Sequence, residues 1–74
     1  MTPKYHINVF FSADDDCWVA DVPDLRFCSA LGDTAEHALR EVQRAMTAWL
    51  KAARESRKPI PKAKYRPAIY QAAH

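Results

Sequence analysis

Apolar and polar residues alternate with a period of two over residues 5–11, as they do in a β-strand that buries one face. The apolar face carries Tyr5, Ile7, Val9 and Phe11, and the opposite face carries His6, Asn8 and Phe10. A polar run at 12–16 follows, and a second apolar stretch occupies 17–22. This order predicts a β-hairpin whose first strand covers 5–11.

The second strand of this hairpin is apolar on both of its sides. One side carries Trp18, Ala20 and Val22, and the other carries Cys17 and Val19. The alternation therefore leaves open which of the two faces is core, and cover on both faces is one solution.

A turn, a third strand and a helix start follow in close succession. Pro23 ends the second strand because proline removes a ladder donor, and Asp24 suits the turn because its side chain readily bonds its own backbone. A third strand is predicted over 27–31, just before the single glycine of the chain. Thr34 is the predicted N-cap, with Asp33 as the alternative.

One long amphipathic helix is predicted from residue 35 to about 54, because apolar residues recur there at spacings of three and four. The stripe consists of Ala35, Ala38, Leu39, Val42, Met46, Trp49, Leu50 and Ala53. The opposite side of the helix is mostly charged or polar, so the helix is expected to lie on the sheet with that side toward water.

Prolines at positions 59 and 61 end the helix, since proline cannot continue its hydrogen-bond ladder. Residues 64–71 suit an extended edge strand, where Pro67 is tolerated. The predicted fold is α+β: a three-stranded antiparallel sheet with one long helix packed across one face and a C-terminal edge strand. The 74 residues fit one domain over 1–74, with a basic extension from about residue 56.

Such a two-layer domain leaves Phe10 and one side of the second and third strands uncovered. A chain of this length also buries only about 60% of its unfolded surface, which makes a lone monomer marginal. We therefore expect a homodimer or homotetramer in which another copy covers the bare face.

Charge is distributed unevenly along the chain. Residues 1–50 carry four basic and eight acidic side chains, a net charge of −4, whereas residues 51–74 carry seven basic and one acidic, a net charge of +6. The basic tail is a candidate contact for nucleic acid or another copy, and solvation of these charges is the favoured interpretation. Its candidate residues are Lys62, Lys64, Tyr65, Arg66 and Tyr70.

The residues of catalytic chemistry do not form a recognisable site. The aspartates at 14–16 are consecutive, which suits a solvated turn better than a metal site, and the histidines have no metal-ligand spacing to the two cysteines. We expect no catalytic residue, no cofactor and no metal. Both cysteines are expected to stay reduced, and the lack of a signal-like start or an apolar span predicts a cytoplasmic protein outside the membrane.

The chain resembles the HicB-like antitoxins over nearly its whole length. The matching elements are the strand that opens at Tyr5, the segments 18–20 and 22–25, Cys28, the helix entry 32–34, Ala38 with Leu39, the segment 48–50, and Ile60 with Pro61. Each element is common by itself, but their order and spacing are fairly specific.

The resemblance implies a βββαβ, partial RNase H-like fold without catalysis, in an antitoxin of a type II toxin–antitoxin system. Such antitoxins neutralise a HicA-type RNA-cleaving toxin by covering its active site. The acidic first half of this chain then faces a basic toxin. The expected toxin contacts are Asp14, Asp15, Asp16, Asp21 and Asp24.

Three departures from the family pattern bear on these expectations. The family usually has Pro-Gly where this chain has Arg26-Phe27, which leaves the path of that turn open. His37 stands where glutamate is common. Members often add a C-terminal DNA-binding domain, and none is expected within 1–74. The alternative function is an orphan HicB-fold regulatory or RNA-binding module that uses the basic tail.

Overall fold

The structure is a computed structural model that describes residues 4–71, with the side chain of residue 71 outside the description. Strands β1 (Asn8–Ser12), β2 (Cys17–Asp21) and β3 (Ser29–Gly32) form one antiparallel sheet in the order β1-β2-β3. Helices α1 (Ala35–Glu55) and α2 (Ala68–Gln71) follow. The predicted sheet and long helix are confirmed, but β1 begins at Asn8 and not at residue 5.

The register of the sheet settles which face of β2 is core. Ala20 pairs with Val9 on one side and with Ala30 on the other, and its side chain is completely buried. Side chains alternate across a strand, so Trp18 and Val22 lie on this same face, toward the helix. Val19 points to the opposite face of the sheet. Within residues 4–71 no helix or second sheet packs on that face.

Thr34 is the N-cap of α1, as predicted. Its hydroxyl accepts a hydrogen bond from the His37 backbone N–H at 3.0 Å. His37 Nδ1 in turn accepts from the Asp33 N–H at 3.2 Å. The His37 ring stands at the position of the acidic residue of a capping box, but it accepts from the N–H one residue before the cap.

The other end of α1 closes in a Schellman motif without glycine. Arg57 has a φ of 57°, and its N–H donates to the Arg54 carbonyl at 3.1 Å, while the Lys58 N–H donates to the Ala53 carbonyl at 2.8 Å. These bonds satisfy the last carbonyls of the helix one residue beyond the predicted end, and the prolines then prevent its continuation.

The core lies between α1 and the sheet. Residues 38, 42, 46, 50 and 53 of the helix are buried, together with Tyr5, Ala20, Val22, Leu25 and Cys28. The helix packs mainly on β3 and β2 and reaches only part of β1. For that reason the predicted burial of the first strand holds at Tyr5 but is wrong farther along, where Val9 is 37% and Phe11 50% exposed.

The predicted C-terminal edge strand is wrong. Residues 58–67 are irregular, and the tail ends in the single helical turn α2. Three prolines in this tail cannot donate to a ladder, and the Tyr65 N–H donates instead to both carboxylate oxygens of Asp24 at 3.2 Å. Further anchors are the Tyr5 hydroxyl, which donates to the Pro61 carbonyl, and the His6 ring, whose centroid lies 4.6 Å from that of Tyr65.

Candidate functional site

An apolar row crosses the sheet face that the helix leaves bare. Phe10 pairs with Val19, and Val19 pairs with Leu31, so the three side chains stand side by side on this face. Phe10 is 48% and Leu31 57% exposed. We call this surface the open face. Its next row along the strands is polar and consists of Asn8, Asp21 and Ser29.

The loop between β2 and β3 is held rigidly against the core. The Val22 N–H donates to the Cys28 carbonyl at 2.9 Å, the Leu25 N–H to the Val22 carbonyl at 3.1 Å, and the Cys28 N–H to the Leu25 carbonyl at 3.2 Å. Leu25 is 2% exposed and therefore fixes the loop in the core. Trp49 Nε1 donates to the Arg26 carbonyl at 2.9 Å, which ties the loop to α1 as well.

Phe27 projects from this rigid loop into solvent. Its side chain is 92% exposed, and its φ of 59° lies in the left-handed region that favours glycine. The strand predicted to start at Phe27 therefore begins two residues later, and a large ring occupies a strained and exposed position. A strained residue persists only where its surroundings hold it in place, and such residues concentrate at functional sites.

Phe27 adjoins the open face. Both line a shallow pocket of about 290 Å³: Asp21 and Ser29 come from the polar row, and Pro23, Arg26 and Phe27 come from the loop. The Arg26 guanidinium lies 5.4 Å from the centre of the Phe27 ring. Apolar row, polar row and loop thus form one continuous surface. The departure from Pro-Gly at 26–27 is the sequence signal for this projecting ring.

Aspartates gather at one end of the sheet. Asp14, Asp15 and Asp16 are exposed in the β1–β2 turn, where the Ser12 hydroxyl donates to Asp15 Oδ2 at 2.9 Å. Asp33 lies at the same end, because it follows Gly32, which pairs with Trp18 at the start of β2. We call these four residues the acidic end. The sequence indicates only an alternative capping role for Asp33, because its neighbours in space depend on strand register.

The five predicted contacts do not form one cluster. Asp21 ends β2 and Asp24 lies in the following loop, at the opposite end of the sheet from residues 14–16. The Asp24 carboxylate accepts a hydrogen bond from the Tyr65 N–H and thereby anchors the tail. Asp21 instead borders the pocket beside Phe27.

The basic tail places its candidate residues in different settings. Lys62, Lys64 and Arg66 are exposed, and Tyr70 is 57% exposed on α2. The ring of Tyr65 packs against the ring of His6, so the His6 ring covers one side of the Tyr65 ring on which a nucleic-acid base could stack. The nucleic-acid role of these tail residues stays a prediction.

Both thiols are held in the protonated form. Burial raises the pKa of Cys28, and the Asp21 carboxylate adds to this shift. Partial burial and three carboxylates of the acidic end raise the pKa of Cys17. Across residues 4–71, no group of three or more His, Cys, Asp or Glu side chains is placed to hold a metal ion. No helix in this part of the chain is both long and apolar enough to cross a membrane.

A rigid two-layer domain with an exposed, partly apolar surface is suited to binding another protein. The family model described as HicB_like antitoxin of bacterial toxin-antitoxin system matches residues 4–68. The chain therefore belongs to the HicB-like antitoxin family, which confirms the resemblance seen in the sequence and implies a toxin partner. No curated protein and no solved structure matches it.

Proposed function

We propose that this protein is a non-catalytic antitoxin that binds a HicA-type RNA-cleaving toxin in the cytoplasm and covers its active site. The observation that carries the proposal is the family match over nearly the whole chain. The surface formed by the open face and Phe27 supports it, because a rigidly presented aromatic ring is a common anchor of protein interfaces.

The acidic end supports the electrostatic part of the proposal. A toxin that cleaves RNA must present positive charge to phosphate groups, and four exposed or partly exposed carboxylates attract such a surface. Charges at the rim of an interface mainly accelerate association, whereas buried anchors slow dissociation. We therefore assign steering to the acidic end and retention to Phe27 with the apolar row.

The test is inhibition of RNA cleavage by the small protein encoded beside the gene for this chain. We expect cleavage of a labelled RNA to fall in proportion to added antitoxin and to stop at a fixed molar ratio. Full cleavage in the presence of excess antitoxin contradicts the proposal. If the chain alone also binds RNA with a steep dependence on salt, and loses that binding when Lys62, Lys64 and Arg66 become alanine, the regulatory alternative is supported instead.

Removing the charge of the β1–β2 turn is expected to slow association with the toxin. The triple variant Asp14→Asn, Asp15→Asn, Asp16→Asn keeps a residue type that tolerates the φ of 53° at position 16. The association rate constant should fall about tenfold at low salt and converge with that of the wild type at high salt. Stopped-flow fluorescence or surface plasmon resonance measures both rates.

The matched control removes positive charge from the other end of the chain. Lys62→Gln with Lys64→Gln should leave the association rate unchanged or raise it, because these exposed cations repel a basic partner. Equal slowing by both sets of substitutions would show that the acidic end does not steer the encounter.

A further inference from the structure

Strand β1 is an edge strand with an open side. It pairs with β2 along one side, and the sheet formed within residues 4–71 places no strand on the other. The backbone N–H and C=O groups along that side are a template for pairing with another strand. The tail, which was predicted to supply an edge strand, binds Tyr5, His6 and Asp24 instead.

This edge is apolar on both of its faces. On the helix side, Val9 is 37% exposed and Phe11 is 50% exposed although its ring packs against Trp18, and Phe10 is 48% exposed on the open face. Soluble proteins usually protect an edge with lysine, proline or a bulge. Residues 8–12 contain no charged residue and no proline, and each pairs one-to-one with β2. An edge of this kind is suited to pairing with another strand.

The sequence of β1 is complementary to itself. In an antiparallel pair centred on Phe10, Val9 faces Phe11 of the partner subunit, and Asn8 faces Ser12 of the partner subunit. Apolar residues then meet apolar ones, polar residues meet polar ones, and no like charges oppose each other. The strand is also electrically neutral, so it lacks the charge that attracts a basic toxin to the acidic end.

We propose that β1 pairs with β1 of a second copy about a two-fold axis at Phe10, which makes the protein a homodimer with a continuous six-stranded sheet. The axis runs perpendicular to the sheet, so both helices lie on one side of it. Val9 and Phe11 of the two copies then fill the space between the helices. The two apolar rows join through Phe10 into one strip across the open face.

Charge reversal at the axis tests this interface. Phe10→Lys and Phe10→Glu each place like charges opposite each other in a homodimer. Each variant should raise the dimer dissociation constant by about tenfold or more. An equal mixture of the two variants should recover the dimer, because lysine then faces glutamate. Sedimentation equilibrium measures the masses, and circular dichroism checks that each variant keeps its helix.

Leu31→Lys is the matched control, since Leu31 belongs to the same apolar row and has similar exposure but lies on β3. It should remain dimeric. A monomeric wild type, or dissociation by Leu31→Lys but not by the Phe10 variants, overturns the proposal. Amide exchange gives a second readout: residues 9–11 should gain protection with rising protein concentration in the wild type only. The inference does not depend on the toxin.

Discussion

Replacing Gly32 by alanine is expected to remove a large part of the stability of the folded protein. An added Cβ lies 2.4 Å from the Ala38 backbone nitrogen, 2.9 Å from the Ala38 Cα and 2.9 Å from the His37 carbonyl carbon. These are backbone atoms of the first turns of α1, so the overlap is relieved only by moving the helix away from the sheet. We expect a loss of about 3 kcal/mol in the free energy of unfolding.

A loss of this size is a large part of the total free energy of unfolding, because small domains are only marginally stable. At about 0.05–0.15 kcal/mol per residue, a chain of this size is stable by only several kcal/mol. Urea denaturation followed by circular dichroism measures the change. Leu31→Ala in the same strand is the control and should change the free energy of unfolding much less, since Leu31 is 57% exposed. If the Gly32→Ala variant unfolds at the same urea concentration as the wild type, the helix does not approach the sheet as closely as described.

Replacing Phe27 by glycine is expected to weaken toxin binding while leaving the fold at least as stable as it is with alanine there. The ring is 92% exposed, so its removal costs little core packing. Loss of an aromatic anchor from an interface typically costs about 2 kcal/mol or more, which is roughly a 30-fold rise in Kd. Titration against the toxin with calorimetric or fluorescence detection measures this rise.

Three variants separate the ring from the backbone at this position. Phe27→Gly and Phe27→Ala both remove the ring, but only glycine adopts a φ of 59° without strain, so the glycine variant should be more stable than the alanine variant by about 1 kcal/mol. Both should bind the toxin weakly, whereas Phe27→Trp should bind as the wild type does. If the glycine and alanine variants bind the toxin as tightly as the wild type, Phe27 is not part of the interface. That result would not contradict the proposed antitoxin function.

The proposals assign three tasks to one small domain. In them the acidic end steers the encounter, the open face with Phe27 retains the toxin, and the β1 edge joins two copies, with Phe10 belonging to both the open face and the edge. The loop that carries Phe27 contacts α1 through the Trp49 hydrogen bond to Arg26, and Gly32 brings β3 close to the same helix. The proposed toxin surface is therefore positioned by the packing of α1 on β3, and damage at Gly32 should reach it as well.

Local signals in the sequence were sufficient for the elements with strong periodicity. The helix over 35–55, its Thr34 cap and the hairpin before it depend on residues close in the chain, where spacing and capping chemistry act directly. The prolines at 59 and 61 predicted the end of the helix for a similar reason. The family likeness also depended on local order, and it is confirmed over residues 4–68.

Long-range contacts decided the features on which function depends. The apolar side of the first strand predicted burial, but α1 packs mainly over β2 and β3, and only the tertiary packing shows that Val9 and Phe11 remain partly exposed. The tail suited an extended edge strand by sequence, yet the Tyr65 N–H donates to the Asp24 carboxylate, 41 positions away in the chain.

The sequence by itself determined the family, the long helix, the hairpin and the division of charge, because each depends on composition or on residues that are close together in the chain. The tertiary structure alone decided that Phe27 projects in a left-handed conformation and that β1 stays partly exposed on both faces. It also decided that Asp33 lies near residues 14–16 while Asp24 lies at the other end of the sheet. Each of these depends on strand register and on which surface the single helix covers. A helix of fixed width covers only part of a three-stranded sheet, and the strand left over is the one available to a second copy.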